Sequence, residues 1–251
     1  MKPTLLLLSA FALHADVTFH RDVLPVLQAK CQGCHRPGEV APMSFLTYSS
    51  TRPWAKAIRA AVNAKVMPPW FAGEGSDSFS NDPSLTKQEL DVLTRWADAG
   101  APEGNPANAP PPVQFVDGWS IGVPDAVVAM SKPYAVPARG VVEYQHIVVP
   151  TGFTGDKWVK AVQIVPGTRQ VVHHVILYLD TTGRSAELDA MDEEPGYECF
   201  GGPGNGVQLS AGSMLGGWVP GSRTTPLPDG VGLLLPKGAR VIVQMHYFPA
   251  G

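Results

Sequence analysis

The sequence predicts two domains of different class, a small helical one followed by an antiparallel β-sandwich. Three observations carry this. Residues 16–104 set apolar side chains at helical spacing around Cys31-Gln32-Gly33-Cys34-His35. Residues 105–115 are rich in proline and read as an extended, semi-rigid linker. From Trp119 onward, β-branched and aromatic runs bounded by Gly and Pro recur at sandwich-like spacing, which assigns residues 116–251 to the second domain.

Composition agrees with this division. A chain of 251 residues suffices for two ordinary domains, and 44% apolar against 16% charged residues describes globular cores. The counts of 26 Gly and 25 Pro demand many turns, as a β-rich half would. A net charge of −3 gives no basic surface, so nucleic acid is not an expected partner.

Residues 1–15 read as a cleavable leader: Lys2, then the apolar run Leu5 to Leu13, then His14-Ala15. That run is too short to cross a bilayer core of ~30 Å, and no other stretch is long enough. The expectation is an exported protein, periplasmic or secreted, without a membrane span.

Within residues 16–104, Val23, Leu24, Val26 and Leu27 form a stripe that leads into the cysteines. A second helix is expected from Thr51 as cap, with Pro53 in its first turn and Trp54, Ile58, Ala61 and Val62 at helical spacing. A third opens on the capping box Thr86-Lys87-Gln88-Glu89, carries Leu90, Leu93 and Trp96, and stops at Gly100.

Cys31-Gln32-Gly33-Cys34-His35 is a C-x-x-C-H sequence, the attachment pattern of c-type haem. Two thiols at this spacing form thioethers to the two vinyl groups, and the histidine that follows ligates the iron. A zinc site would want a second Cys/His pair nearby, and a thioredoxin-like site a βαβ context. Neither is present. For the opposite axial position Met67 is the candidate, in Val66-Met67-Pro68-Pro69-Trp70, far enough along the chain to return over the other haem face. Met43 is its rival, eight residues from His35. Core packing is the commoner fate of a methionine.

Three stretches carry a family likeness. They are Phe19-His20-Arg21-Asp22-Val23 through Gly38-Glu39-Val40-Ala41-Pro42-Met43, then Met67-Pro68-Pro69-Trp70, then Trp96-Ala97-Asp98-Ala99-Gly100-Ala101-Pro102-Glu103-Gly104. Together they resemble a c-type cytochrome module of the kind fused to other domains in environmental bacteria.

In the second domain, strands are expected at Val141–Val149, Trp158–Val165, Val171–Leu179 and Ala239–Tyr247, with 181–217 loop-rich. His173, His174 and His246 fall on these strands. Three neutral imidazoles would suit copper or zinc. Adjacent strand residues face opposite ways, so one metal can take both His173 and His174 only at a twist, a bulge or a strand end. Taken singly, each histidine reads more readily as a core or surface residue, while vicinal histidines inside an apolar strand are rarer.

His173-His174 with its aliphatic strand, Gly217-Trp218-Val219-Pro220-Gly221, Pro228-Asp229-Gly230-Val231-Gly232 and Gln244-Met245-His246-Tyr247 form an ordered set. It resembles the first domain of the copper type II, ascorbate-dependent monooxygenases, the peptidylglycine and dopamine hydroxylase family. The resemblance implies a jelly-roll-like sandwich and an electron-transfer copper on His173 and His174, with His246 as third ligand unless its Met-His-Tyr strand opens the family's second copper domain. It also implies a small reductant such as ascorbate and a small-molecule or peptide substrate. That family binds a second copper in a further domain through a His-x-His pair and a methionine. No such pair is completed here, so a truncated unit is the expectation and no catalytic residue can be named. Cys199 is left over once haem takes Cys31 and Cys34.

Three functions are open at this level. The first is a haem c electron-transfer protein joined to a copper monooxygenase-like domain. The second is a non-enzymatic haem carrier whose sandwich binds a partner. The third is a zinc hydrolase on the three histidines, weakened because no carboxylate stands at a general-base spacing.

Overall fold

The computed structural model describes residues 16–70, 72, 79, 81–116, 118–191, 193, 196–209, 212–222 and 224–250. The expected leader, residues 1–15, lies outside them. The protein is mixed helix and sheet, and it divides into two compact units. One comprises Met1–Arg36 and Met43–Val113, the other Pro37–Pro42 and Gln114–Gly251.

The first unit begins with a π-helical turn at Phe19–Val23 that runs into α1 (Leu24–Lys30), with a proline in its first turn, where no amide hydrogen is required. Next come α2 (Tyr48–Thr51), a 3₁₀ turn (Arg52–Trp54), α3 (Ala55–Asn63) and α4 (Lys87–Asp98). Phe19, Leu27, Leu93 and Trp96 are fully buried and centre the core, with Ile58 and Val62 of α3 against them. The α4 capping box forms as expected, Thr86 N–H donating to Glu89 Oε2 at 2.7 Å and Glu89 N–H to Thr86 Oγ1 at 3.2 Å. The second expected cap is displaced. Thr47 caps α2, and Thr51 lies buried inside the helix with its hydroxyl on Thr47 O at 2.7 Å. Pro53 then tightens the next turn to 3₁₀, so the regular part of the expected helix begins only at Ala55. The proline-rich stretch belongs to this unit as far as Val113: Ala109 packs on its core, and Gln28 Nε2 donates to Pro111 O at 3.0 Å.

The second unit contains β1 (Gln145–Pro150), β2 (Lys157–Val159), β3 (Val172–Asp180), α5 (Arg184–Asp189), β4 (Tyr197–Glu198), β5 (Met214–Trp218), β6 (Leu233–Leu235) and β7 (Arg240–Tyr247). Five strands make an antiparallel sheet in the order β4-β1-β7-β3-β5, and β2 pairs with β6 separately. The expected strand at 158–165 shrinks to β2. The stretch 181–217, expected to be irregular, contains α5, β4 and β5. These elements are short, six, two and five residues, too brief to show a period.

Alternation gives the large sheet two unlike faces. Val175, Leu177, Leu179, Val241 and Met245 bury one face against Leu215 and Leu235. The other carries His146, Ile242 and Gln244, at 0%, 0% and 1% exposure. Tyr197 stacks on His146 there (centroids 5.1 Å, 9° between planes). The approach is close enough to require glycine at 196, where φ is +100° and a Cβ would lie 2.8 Å from His146 O.

Candidate metal centre

The polar face of the sheet is where three histidines meet, and β3 makes that possible by breaking its own pleat. Val172 pairs with Tyr247 and His174 with His246, which leaves His173 as an extra residue in a register shift at the start of the strand. A bulge of this kind re-aims a side chain, and here it turns two neighbouring imidazoles to one side. His173 Nδ1 lies 3.1 Å from His174 Nδ1. From β7, His246 brings its ring to 4.8 Å from His173 and 4.9 Å from His174, centroid to centroid. One nitrogen from each ring falls within 4.8 Å of the others.

Electrostatics favour the neutral form that ligation needs. Burial lowers the His174 pKa below the ordinary histidine value, as does the positive charge that His246 and His173 would carry, while a hydrogen bond with Gln244 works the other way. His246 is lowered by burial and then by His173. Its Nδ1 is buried without a hydrogen-bond partner. Tyr144 closes one side of the cluster, its ring 4.4 Å from that of His246 and 5.4 Å from that of His174. Phe200 packs on Tyr144 at 5.5 Å. Cys199 is a free thiol on β4's continuation, with its N–H on Tyr144 O at 3.2 Å.

Sequence reasoning missed Tyr144, His146 and Gln244. Gln244 stands two residues before His246, so it shares that histidine's face, and His146 pairs directly with Gln244 across β1 and β7. The period of two could have found Gln244 from His246. The pairing of β1 with β7 could not be read from sequence, because almost a hundred residues separate them.

In the first unit, Cys31, Cys34 and His35 occupy the turn that ends α1, with Cys34 N–H and His35 N–H both on Cys31 O, at 3.1 and 2.9 Å. Phe45 fixes the imidazole: its N–H donates to His35 O at 2.9 Å, and its ring stacks on His35 at 4.3 Å with 12° between planes. Gln32, 2% exposed, ties the same turn to Phe45 O at 2.9 Å. Burial lowers the His35 pKa, and Nδ1 is buried outside hydrogen-bond geometry, with the Met43 main chain beside the ring. Burial, then the neighbouring Cys34, pushes the Cys31 thiol up to about 12, so it stays protonated at neutral pH. Metal ligation by sulfur needs the thiolate. Among the described residues the converging group of metal-binding side chains is the histidine trio, not these cysteines. Met67 lies just past α3 with its side chain 42% exposed, whereas Met43 is partly buried against the core.

Among the described residues, no helix is long and apolar enough to cross a membrane. Compared with protein-family models, with curated proteins and with solved structures, the chain matches none of them.

Proposed function

We propose that this chain is an exported electron-transfer protein in which a haem c domain serves a copper monooxygenase-like β-sandwich domain of jelly-roll type. The observation that carries the proposal is the bulge at the start of β3, which brings His173 and His174 to one side, facing His246. Vicinal histidines in an apolar strand have no packing reason to converge in this way. Copper is preferred to hydrolytic zinc because, among the described residues, no carboxylate joins the three imidazoles to serve as a general base.

Bound haem and bound copper would each supply a one-electron redox centre. The rest is the work of the chain's own residues. Cys31 and Cys34 would hold the haem covalently through their thiols. His35, held by Phe45, and Met67 would ligate its iron. A Met67 thioether that is not committed to the core suits that role better than Met43, whose main chain already stands beside the His35 ring. His173, His174 and His246 would hold copper as neutral imidazoles, and Tyr144 with Phe200 would limit water on one side. A reductant such as ascorbate, or a redox protein, is the partner this chemistry implies. Hydroxylation is not assigned to this chain, because the metal-binding side chains that converge among the described residues form one group, which would hold a single copper.

Metal analysis of protein produced with haem maturation tests the proposal. Copper near one per haem supports it. Zinc at the same stoichiometry would favour the hydrolase, and haem without a second metal the carrier with structural histidines.

A further inference from the structure

A hollow that reaches His246 is built from the segment before β1 and the end of β7, and it encloses about 530 Å³. That size falls within the range of small-molecule sites, roughly 300–1,000 Å³. Its floor is fixed. Phe248 N–H donates to Val171 O at 2.8 Å, which carries the β3–β7 pairing one residue past Tyr247. Tyr247 is buried, its ring stacked on Tyr134 at 4.9 Å with 8° between planes, and Val142 belongs to the core of the sheet unit. The other wall turns at Gly140, where a φ of +104° suits glycine, and Arg139 stands just before that turn.

Two kinds of group are left unmatched here. Arg139 is exposed and is the one permanently charged side chain in the lining, and among the described residues it has neither hydrogen bond nor ion pair. Beside it, Val141 and Phe248 keep 91% and 63% of their surface in water. A guanidinium is matched best by a carboxylate, which takes two parallel N–H donors at once. Exposed apolar side chains are matched by an apolar body. We infer that this hollow binds a small organic carboxylate, its anionic end on Arg139 and its apolar body on Phe248 and Val141, next to His246. Inorganic phosphate would meet a single cation and otherwise apolar walls, and a neutral apolar molecule would leave the guanidinium unmatched. The inference narrows the small-molecule partner of the three-histidine site to anions, and it rests on that site for this consequence alone.

The test uses 4-fluorobenzoate as probe, followed by ¹⁹F NMR on titration with the full chain, and 4-fluorobenzamide as its neutral counterpart. The carboxylate should bind saturably, roughly tenfold more tightly than the amide, and more weakly as salt is raised. Arg139→Gln should weaken it on the order of tenfold, and Arg139→Lys should restore part of the affinity. Since Arg139 is exposed and unpaired, neither variant removes a folding contact. Equal affinity for acid and amide, wild-type affinity in Arg139→Gln, or full displacement of the probe by an equal concentration of inorganic phosphate overturns the inference. Location is read separately. With copper(II) loaded on the histidines, the ¹⁹F line of the bound probe should broaden strongly, and zinc in its place should leave it sharp. Equal line widths with the two metals overturn the placement next to His246. If the wild type takes up no copper, the three-histidine reading falls, while the metal-free titrations still decide the anion site.

Discussion

Asp180 ends β3 and organises the cover of the polar face, so its removal should be felt well beyond one hydrogen bond. The carboxylate is 1% exposed. Oδ1 accepts from Thr182 N (2.8 Å), Thr182 Oγ1 (2.6 Å) and Gly183 N (3.1 Å), and Oδ2 from Ser185 N (2.8 Å) and Ser185 Oγ (2.6 Å). Burial opposes ionisation, but the Ser185 and Thr182 hydrogen bonds outweigh it and hold the pKa at about 2, against an ordinary 3.8. At about 1.4 kcal/mol for each tenfold change in proton affinity, the ionised carboxylate contributes about 2 kcal/mol. The folded pKa is the lower one. The contribution is therefore complete above about pH 4 and is lost as pH falls toward 2. Asp180→Asn should forfeit it at pH 7, because the asparagine NH₂ would face the Ser185 N–H, donor against donor. With a urea dependence of roughly 1–3 kcal/mol/M, the midpoint for the sheet unit should fall by roughly 1 M. Urea titrations followed by circular dichroism at pH 7 and pH 3 measure both effects. A variant with the wild-type midpoint at pH 7, or with the full wild-type loss of stability between pH 4 and 2, would refute the reasoning.

Other consequences are as direct. Gly196→Ala places a Cβ 2.8 Å from His146 O at a φ of +100°, and should lower stability by ~1–3 kcal/mol in the same titrations. His173→Ala, His174→Ala and His246→Ala should each weaken copper binding strongly. Because ligation needs neutral imidazoles, and burial already lowers His174 and His246 below the ordinary histidine value, affinity should fall on acidification. Affinity that rises with acid would contradict the ligand set. Haem should stay with the polypeptide through denaturing electrophoresis, remain by one weaker bond in Cys31→Ala or Cys34→Ala, and be lost when both are changed. Met67→Ala should abolish the long-wavelength sulfur-to-iron charge-transfer band of the oxidised protein; loss of the band in Met43→Ala instead would move the axial assignment.

The sequence by itself determined what depends on neighbours along the chain. The Thr86–Glu89 capping box is a local reciprocal pair of hydrogen bonds, and it forms as the spacing demands. The C-x-x-C-H spacing likewise fixes which three residues share one turn. The candidacy of His173 and His174 was legible for a related reason, since vicinal imidazoles in an apolar strand stand out against their surroundings. Tertiary structure decided the rest. The pleat of an isolated strand would separate those two rings, and only pairing with β7 shows the register shift that brings them together. Gln244, His146 and Gly201 come from three distant segments, so the hydrogen bonds of the Gln244 amide to the other two exist only after β1, β7 and the loop beyond β4 have docked. Thr47 displaced Thr51 as a cap because Thr51 is wanted in the core. Local pattern states which residues could do a task, while burial and strand pairing choose among them, because those energies are set by contacts between segments far apart in the chain.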